Sequence, residues 1–275
     1  MTAIQALILG IVQGITEFFP ISSSGHLILI PYVFGWELQD LKFDVALHLG
    51  TAFAVLFFFW KDWYEMLTAL LMDFKTAIVS KKLNTNILRR ETKLLLTIIS
   101  VSLPVGIVAV LLEDTIESTF RSSLFVGIML IVVAFIMYAA DRFARLNTQN
   151  LESNIFNIPF KKALLVSLSQ ILALFPGTSR SGISISTALF SKIEYKEAAR
   201  FSFLLATPLI IGAGVIKLPD ILESSTGMTP LLIGFFASFI TGILSIKILL
   251  NFLKKHGLII FVIYRIALGI AILVL

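Results

Sequence analysis

Composition, the length of the apolar runs and the sign of the charges between them point to an all-α polytopic membrane protein. Its expected architecture is an inverted repeat with two re-entrant helical hairpins and six full spans. Of 275 residues, 57% are hydrophobic and only 14% charged, with 24 Phe, and the mean hydropathy is +0.96. A soluble domain of this length would need far more charge to cover its surface. Several apolar runs approach or exceed the roughly 20 residues that cross a hydrocarbon core. The 22 basic and 17 acidic residues leave a formal charge of +5, but they sit in the connections and form no basic face for nucleic acid.

The start, MTAIQALILG, has no basic leader and no small-residue cleavage pattern, so it reads as structure. Thr2 to Phe19 is apolar, interrupted by Gln5, Gln13, Thr16 and Glu17. The segment FPISSSGH follows, then a short apolar piece to about Phe34. A first full span is expected at about Val45 to Trp60. Trp63 to Ile78 is only moderately apolar and is read as an interfacial helix. Further spans fall at about Leu94 to Leu112 and Leu124 to Ala140. Ala163 to Phe175 is apolar but short, ends at PGTSRSG, and is followed by a second short piece to Phe190. Spans at about Phe201 to Ile216, Pro230 to Leu250 and Leu258 to Leu275 complete the six.

Charge then sets the sides. The linker from Lys75 to Lys93 also carries Lys81, Lys82, Arg89 and Arg90 against Glu91 alone, which places it in the cytoplasm. Arg142 to Lys162, Lys192 to Arg200, and Lys254 with Lys255 go the same way. Glu37, Asp40 and Asp44, then Glu113, Asp114 and Glu117, then Asp220 and Glu223, face outside. The assignment closes only if the first broken hairpin dips in from outside and the second from the cytoplasm. One membrane domain, 1–275, then holds repeat one at about 1–112 and repeat two at about 121–275, with the second hairpin at 163–190. A shift of 156 residues aligns Phe19-Pro20 with Phe175-Pro176, Ser22 with Thr178, Ser23 with Ser179, and Thr51 with Thr207. An inverted repeat of broken helices places its special site where the breaks meet.

Non-helical backbone at membrane depth must line protein or a polar cavity. A helix starting after such a break presents free N–H groups suited to phosphate. The first break adds Ser22, Ser23, Ser24 and His26; the second adds Thr178, Ser179, Ser181, Ser184 and Arg180. An arginine fork matches phosphate oxygens, and inside a re-entrant loop it needs an anion to answer it. Blander readings exist for each residue taken singly. Serines can satisfy neighbouring carbonyls, Gly25 and Gly182 can serve close packing, Glu17 and Arg180 can form a structural pair, and His26 can be a hydrogen-bonded interior histidine. His48 is a supporting group or a local partner. With no cysteine in the chain, disulfides, Cys-ligated zinc, iron–sulfur clusters and a cysteine nucleophile are excluded.

QGITEFFPISSSGH, from Gln13 to His26, and PGTSRSGIS, from Pro176 to Ser184, resemble the two signature segments of the bacterial undecaprenyl pyrophosphate phosphatase family, also called bacitracin-resistance proteins. The resemblance covers essentially the full chain. In that family a Glu-or-Gln-x-x-x-Glu pair leads into the first turn; here it is Gln13 and Glu17, so a mechanism needing two acids on that helix does not fit. Ser184 stands where the family usually has threonine. The resemblance implies hydrolysis of the C55 isoprenoid diphosphate left after cell-wall polymer assembly, in the bacterial plasma (inner) membrane, with the site opening to the outer, periplasmic side. It implies catalytic roles for Glu17, Ser23, His26 and Arg180. It also implies phosphate binding by Ser22, Ser24, Gly25, Thr178, Ser179, Ser181, Gly182 and Ser184, supported by Gln13 and His48. Ser23, His26 and an activated water all remain open as the attacking group. No tightly bound cofactor is expected, although magnesium or calcium could bridge Glu17 to the substrate phosphates. Expected partners are the lipid diphosphate and the surrounding membrane lipids, and a homo-oligomer is left open. Two other functional classes stay in view: a carrier or flippase for the lipid phosphate using the same cavity, and a passive scaffold or channel.

Overall fold

The computed structural model of the chain describes residues 1–80, 88–120, 122–222 and 226–274. Among these, eleven α-helices follow in order: α1 (Ala3–Thr16), α2 (Ser23–Phe34), α3 (Leu41–Phe58), α4 (Trp60–Ser80), α5 (Arg90–Thr119), α6 (Ser123–Leu146), α7 (Phe160–Ser169), α8 (Arg180–Phe190), α9 (Tyr195–Leu222), α10 (Met228–Leu253) and α11 (Ile259–Val274). A 3₁₀ turn, Gln170–Leu174, continues α7 towards the second break. The described residues hold no strand, only an isolated parallel bridge between Glu152 and Ile193.

Five helices, α3, α5, α6, α9 and α10, are long and apolar enough to cross a membrane, and the protein is a multi-pass membrane protein. The sixth expected span, Leu258 to Leu275, is present as α11, which falls among the shorter apolar helices. It has 16 residues, about 24 Å at 1.5 Å per residue, against a hydrocarbon core of roughly 30 Å. The helix expected from Trp63 to Ile78 is present as α4, 21 residues long and outside the spanning set. An ion pair from Arg200 at the start of α9 to Asp62 anchors it. Residues 81–87 of the basic linker and Glu223 lie outside the described residues, as do the side chains of Glu113, Asp114, Glu117 and Asp220.

Two short helix pairs interrupt the long helices. Thr2 caps α1 in a capping box with Gln5, and Gly35 ends α2 at φ 64°, where glycine carries no Cβ penalty. α1 packs on α2 and α10; α10 packs on α3, α3 on α9, α6 on α8 and α11, and α5 on α7 and α9. The α1–α10 crossing is close because a Cβ at Gly10 would stand 2.6 Å from the Gly234 carbonyl, a small-residue seam of the kind membrane helices use. Beneath the breaks, Phe18 meets Phe203 edge-on at 5.1 Å between ring centroids. Both rings are buried in the larger apolar core.

Candidate active site

The two breaks, 17–22 and 175–179, lie against each other and are built alike. Ser22 caps α2 at φ 73°, and its Oγ accepts from Gly25 N; Ser179 caps α8 at φ 69°, and its Oγ accepts from Gly182 N. Positive φ at a serine costs on the order of 1–3 kcal/mol, so the surrounding contacts must over-determine both turns. Ser22 and Ser24 share a hydroxyl contact of 3.2 Å, as do Ser179 and Ser181. The cap geometry therefore pairs Ser22 with Ser179 and Gly25 with Gly182, an offset of 157. The sequence alignment at 156 paired Ser22 with Thr178 and Ser23 with Ser179. The second turn has two residues, Gly177 and Thr178, where the first has only Ile21, and this moves Ser23 opposite Arg180.

Each turn also bonds the other. Gly177 N donates to Ser24 Oγ at 3.4 Å, and Ser181 Oγ donates to the Phe19 carbonyl at 3.3 Å. Gly177 sits at φ 90°, and a Cβ there would come within 2.7 Å of the Val126 carbonyl. The N-termini of α2 and α8 thus converge, and their leading N–H groups and positive dipole ends make the junction attractive to an anion.

Glu17, buried at the end of α1, answers that field. One carboxylate oxygen pairs with Arg180 Nη2. The other accepts from Gln13 Nε2 at 2.9 Å and Ser23 Oγ at 2.6 Å, and stands 3.5 Å from His48 Nε2. The amide at Gln13 is a donor to Glu17, which a second carboxylate could not be. Its Oε1 is buried without a partner. His48 Nδ1 lies 2.8 Å from the Asp44 carbonyl. Since a carbonyl only accepts, Nδ1 carries the proton and Nε2 faces Glu17. A cavity of about 210 Å³, lined in part by Ser24, Asp44 and His48, opens above.

His26 does not join this cluster. Its Nδ1 donates to the Ser22 carbonyl at 2.6 Å, and its Nε2 lies 2.7 Å from the Tyr264 hydroxyl, with the rings stacked. Ser184 donates to the Arg180 carbonyl at 2.6 Å and meets Ser202 Oγ at 2.5 Å, inside the α8–α9 contact. Thr178 Oγ1 is buried at the second turn with no partner. Gly25 and Gly182 give their N–H groups to the caps. Of the carboxylates near the breaks, Glu17 has both oxygens engaged, and Asp44 at the cavity wall accepts from Gln39 Nε2 at 2.8 Å. The described residues hold no cluster of three or more His, Asp or Glu that could bind a metal. The donor set does not fit a resident metal, and no step is derived through one.

Sequence reasoning missed Arg265 and Tyr264. Arg265 is fully buried and donates to four carbonyls: Leu130 at 3.1 Å, Pro20 at 3.4 Å, Met129 at 3.3 Å and Gly177 at 2.8 Å. The signal was present, since α11 is an apolar helix with one ionisable cation in it, which is itself a mark of function.

These features define a multi-pass membrane protein with an internal polar site of the anion-binding type. Residues 6–271 match the family model described as bacitracin resistance protein BacA. The chain is 39% identical to the undecaprenyl-diphosphatase of Desulforudis audaxviator over 277 aligned positions, 100% of this chain and 98% of that protein. It is 41% identical to those of Elusimicrobium minutum, covering 100% and 98%, and Caldicellulosiruptor bescii, covering 99% and 97%. The chain belongs to the bacitracin resistance protein BacA family.

Proposed function

We propose that the protein hydrolyses undecaprenyl diphosphate to undecaprenyl phosphate and inorganic phosphate, recycling the lipid carrier of cell-wall synthesis. The observation that carries this reading is the carboxylate of Glu17 holding the Ser23 hydroxyl on one oxygen and Arg180 on the other. A phosphatase needs an activated nucleophile beside a charge that tightens on the phosphoryl group. Ser23 Oγ attacks the terminal phosphorus as its proton passes to Glu17. The bond to the bridging oxygen breaks, and undecaprenyl phosphate leaves with that electron pair. Water then hydrolyses the phosphoserine, and Glu17 returns the proton to Ser23. An arriving diphosphate draws Arg180 from Glu17, which leaves the carboxylate a better proton acceptor when Ser23 must lose its proton. His26 has both ring nitrogens engaged, so the geometry favours Ser23 over His26 as nucleophile. We assign His26 to holding the first turn and His48 to proton exchange with solvent.

On the other side of α2, an apolar groove of about 340 Å³ runs between α1, α2 and α11, with His26 and Tyr264 at its edge. Its chemistry suits a prenyl chain entering from the bilayer. The charge distribution supports a plasma-membrane protein whose site opens outward.

The packing also favours an inverted repeat in which α1, α2, α3, α5 and α6 answer α7 to α11. The α1–α10 contact is answered by α7–α5, α3–α10 by α9–α5, and α6–α8 by the His26–Tyr264 link of α2 to α11. In this reading α4 has no counterpart and the first copy extends through α6. Such repeats with half-helices are also a transporter design, so a lipid-phosphate carrier is the second reading. Purified protein in detergent, given undecaprenyl diphosphate, separates the two: a phosphatase releases inorganic phosphate, and a carrier releases none.

A further inference from the structure

Arg265 has no carboxylate within ion-pair distance among the described residues, although it is fully buried. Its donors go instead to backbone. Nε and one Nη2 hydrogen bond hold Leu130 and Met129 of α6, Nη1 reaches Pro20 in the first turn, and Nη2 reaches Gly177 in the second. Broken backbone at membrane depth leaves carbonyls that must find donors, and here one rigid planar group serves a carbonyl from each break. Pro20 stands three residues before Ser23, and Gly177 three before Arg180. We infer that Arg265 is a positioning residue, locking the two turns at one separation so that Ser23 and Arg180 meet the same phosphate in register; this rests on the phosphatase reading above.

The fork geometry is what matters. Nη1 and Nη2 are fixed relative to each other by the guanidinium plane, so neither turn can move along the other without breaking a hydrogen bond. Lysine would keep a charge but offers a single flexible nitrogen. The neighbouring Tyr264 adds a third hold, since its hydroxyl meets His26 and His26 bonds the Ser22 carbonyl. α11 therefore grips both breaks from below, while the hydroxyl contacts between Ser24, Gly177, Ser181 and Phe19 tie them from within. A misplacement of about 1 Å between reacting groups can cost about 10²-fold in rate.

The test measures kcat and KM for Arg265→Lys and Arg265→Met, each in the wild-type and the Arg180→Ala background, with phosphate release from undecaprenyl diphosphate. The expected result is a loss of about 10²-fold in kcat for Arg265→Lys with KM within about 3-fold, shrinking to under about 3-fold when Arg180 is already absent. The same fold-loss in both backgrounds is the mark of general damage to the fold and overturns the inference, as does undiminished kcat in Arg265→Lys. Hydrogen exchange on the substrate-free wild type covers the case in which the variants do not fold and needs no turnover. The hydrogen-bonded amides of Ile21, Gly25, Gly177, Thr178 and Gly182 should be as slow as those of the neighbouring spanning helices, and rapid exchange in either turn overturns the lock. A wild type that releases no phosphate would instead sink the phosphatase reading, leaving the exchange measurement to judge Arg265.

Discussion

Ser23 donates to Glu17 across 2.6 Å, and the same carboxylate pairs with Arg180 from a turn 163 positions further along the chain. Neither break contains both a hydroxyl held on a base and a cation for phosphate. The site exists only where they meet.

Replacing Ser23 with alanine should lower kcat roughly 10²- to 10⁴-fold, the scale of losing a proton-transfer partner, with KM little changed. Acid quenching of the wild type during turnover should trap an acid-stable phosphoserine at Ser23. Wild-type turnover in Ser23→Ala would return the attack to water or His26.

The bonding of His26 separates two roles. If it only holds the first turn, asparagine, which can donate from nearly the same position as Nδ1, should keep activity within about tenfold, the range of one hydrogen bond. Leucine, which lacks the donor, should do worse. Equal losses of 10²-fold or more in both would make His26 an acid, base or nucleophile.

Gly177→Ala tests the turn itself. At φ 90°, with the Val126 carbonyl in the way, alanine should destabilise the protein by more than the roughly 1–3 kcal/mol of a strained backbone position. A lower thermal midpoint and lower kcat are both expected; an unchanged midpoint would contradict the turn geometry.

Much of this arrangement was legible in the sequence. FPISSSGH and PGTSRSGIS fall where α2 and α8 begin, because proline, glycine and serine stop one helix and cap the next wherever the chain is otherwise apolar. That Arg180 needs an anion to answer it followed from the cost of a charge in a re-entrant loop, and its pair with Glu17 was legible only as one of the blander readings. What lay beyond reach depended on distance in sequence. Tyr264 and Arg265 act on residues far along the chain, and nothing local marks which carbonyls they reach. Ser184 looks like a phosphate ligand in the motif, yet its helical position turns it to Ser202. The one-residue difference between the turns hid that Ser23, not Ser24, stands opposite Arg180. The last span, expected at about Leu258 to Leu275, is present as the apolar helix α11, which begins at Ile259 just after Leu258 N donates to Asp141 Oδ1.

The charges predict a sidedness that labelling can check. Glu37 and Asn157 are both exposed, one in an acidic connection and one in a basic one. In intact cells an impermeant thiol reagent should label Glu37→Cys and leave Asn157→Cys unlabelled. Labelling of Asn157→Cys alone would invert the topology.

Arg180 carries the central claim, and a full rate-versus-substrate curve for purified Arg180→Lys and Arg180→Ala tests it most directly. Lysine keeps the charge and loses the fork. A clamp that tightens as charge moves to the leaving oxygen should lose roughly 10²- to 10³-fold in kcat when it is removed, about 2.7 to 4 kcal/mol. Folding must be verified in parallel, because Glu17 would be left buried without its cation. Phosphate release that collapses in kcat for Arg180→Ala, with Arg180→Lys intermediate, is the predicted result. Near-wild-type kcat in folded Arg180→Ala would contradict the account.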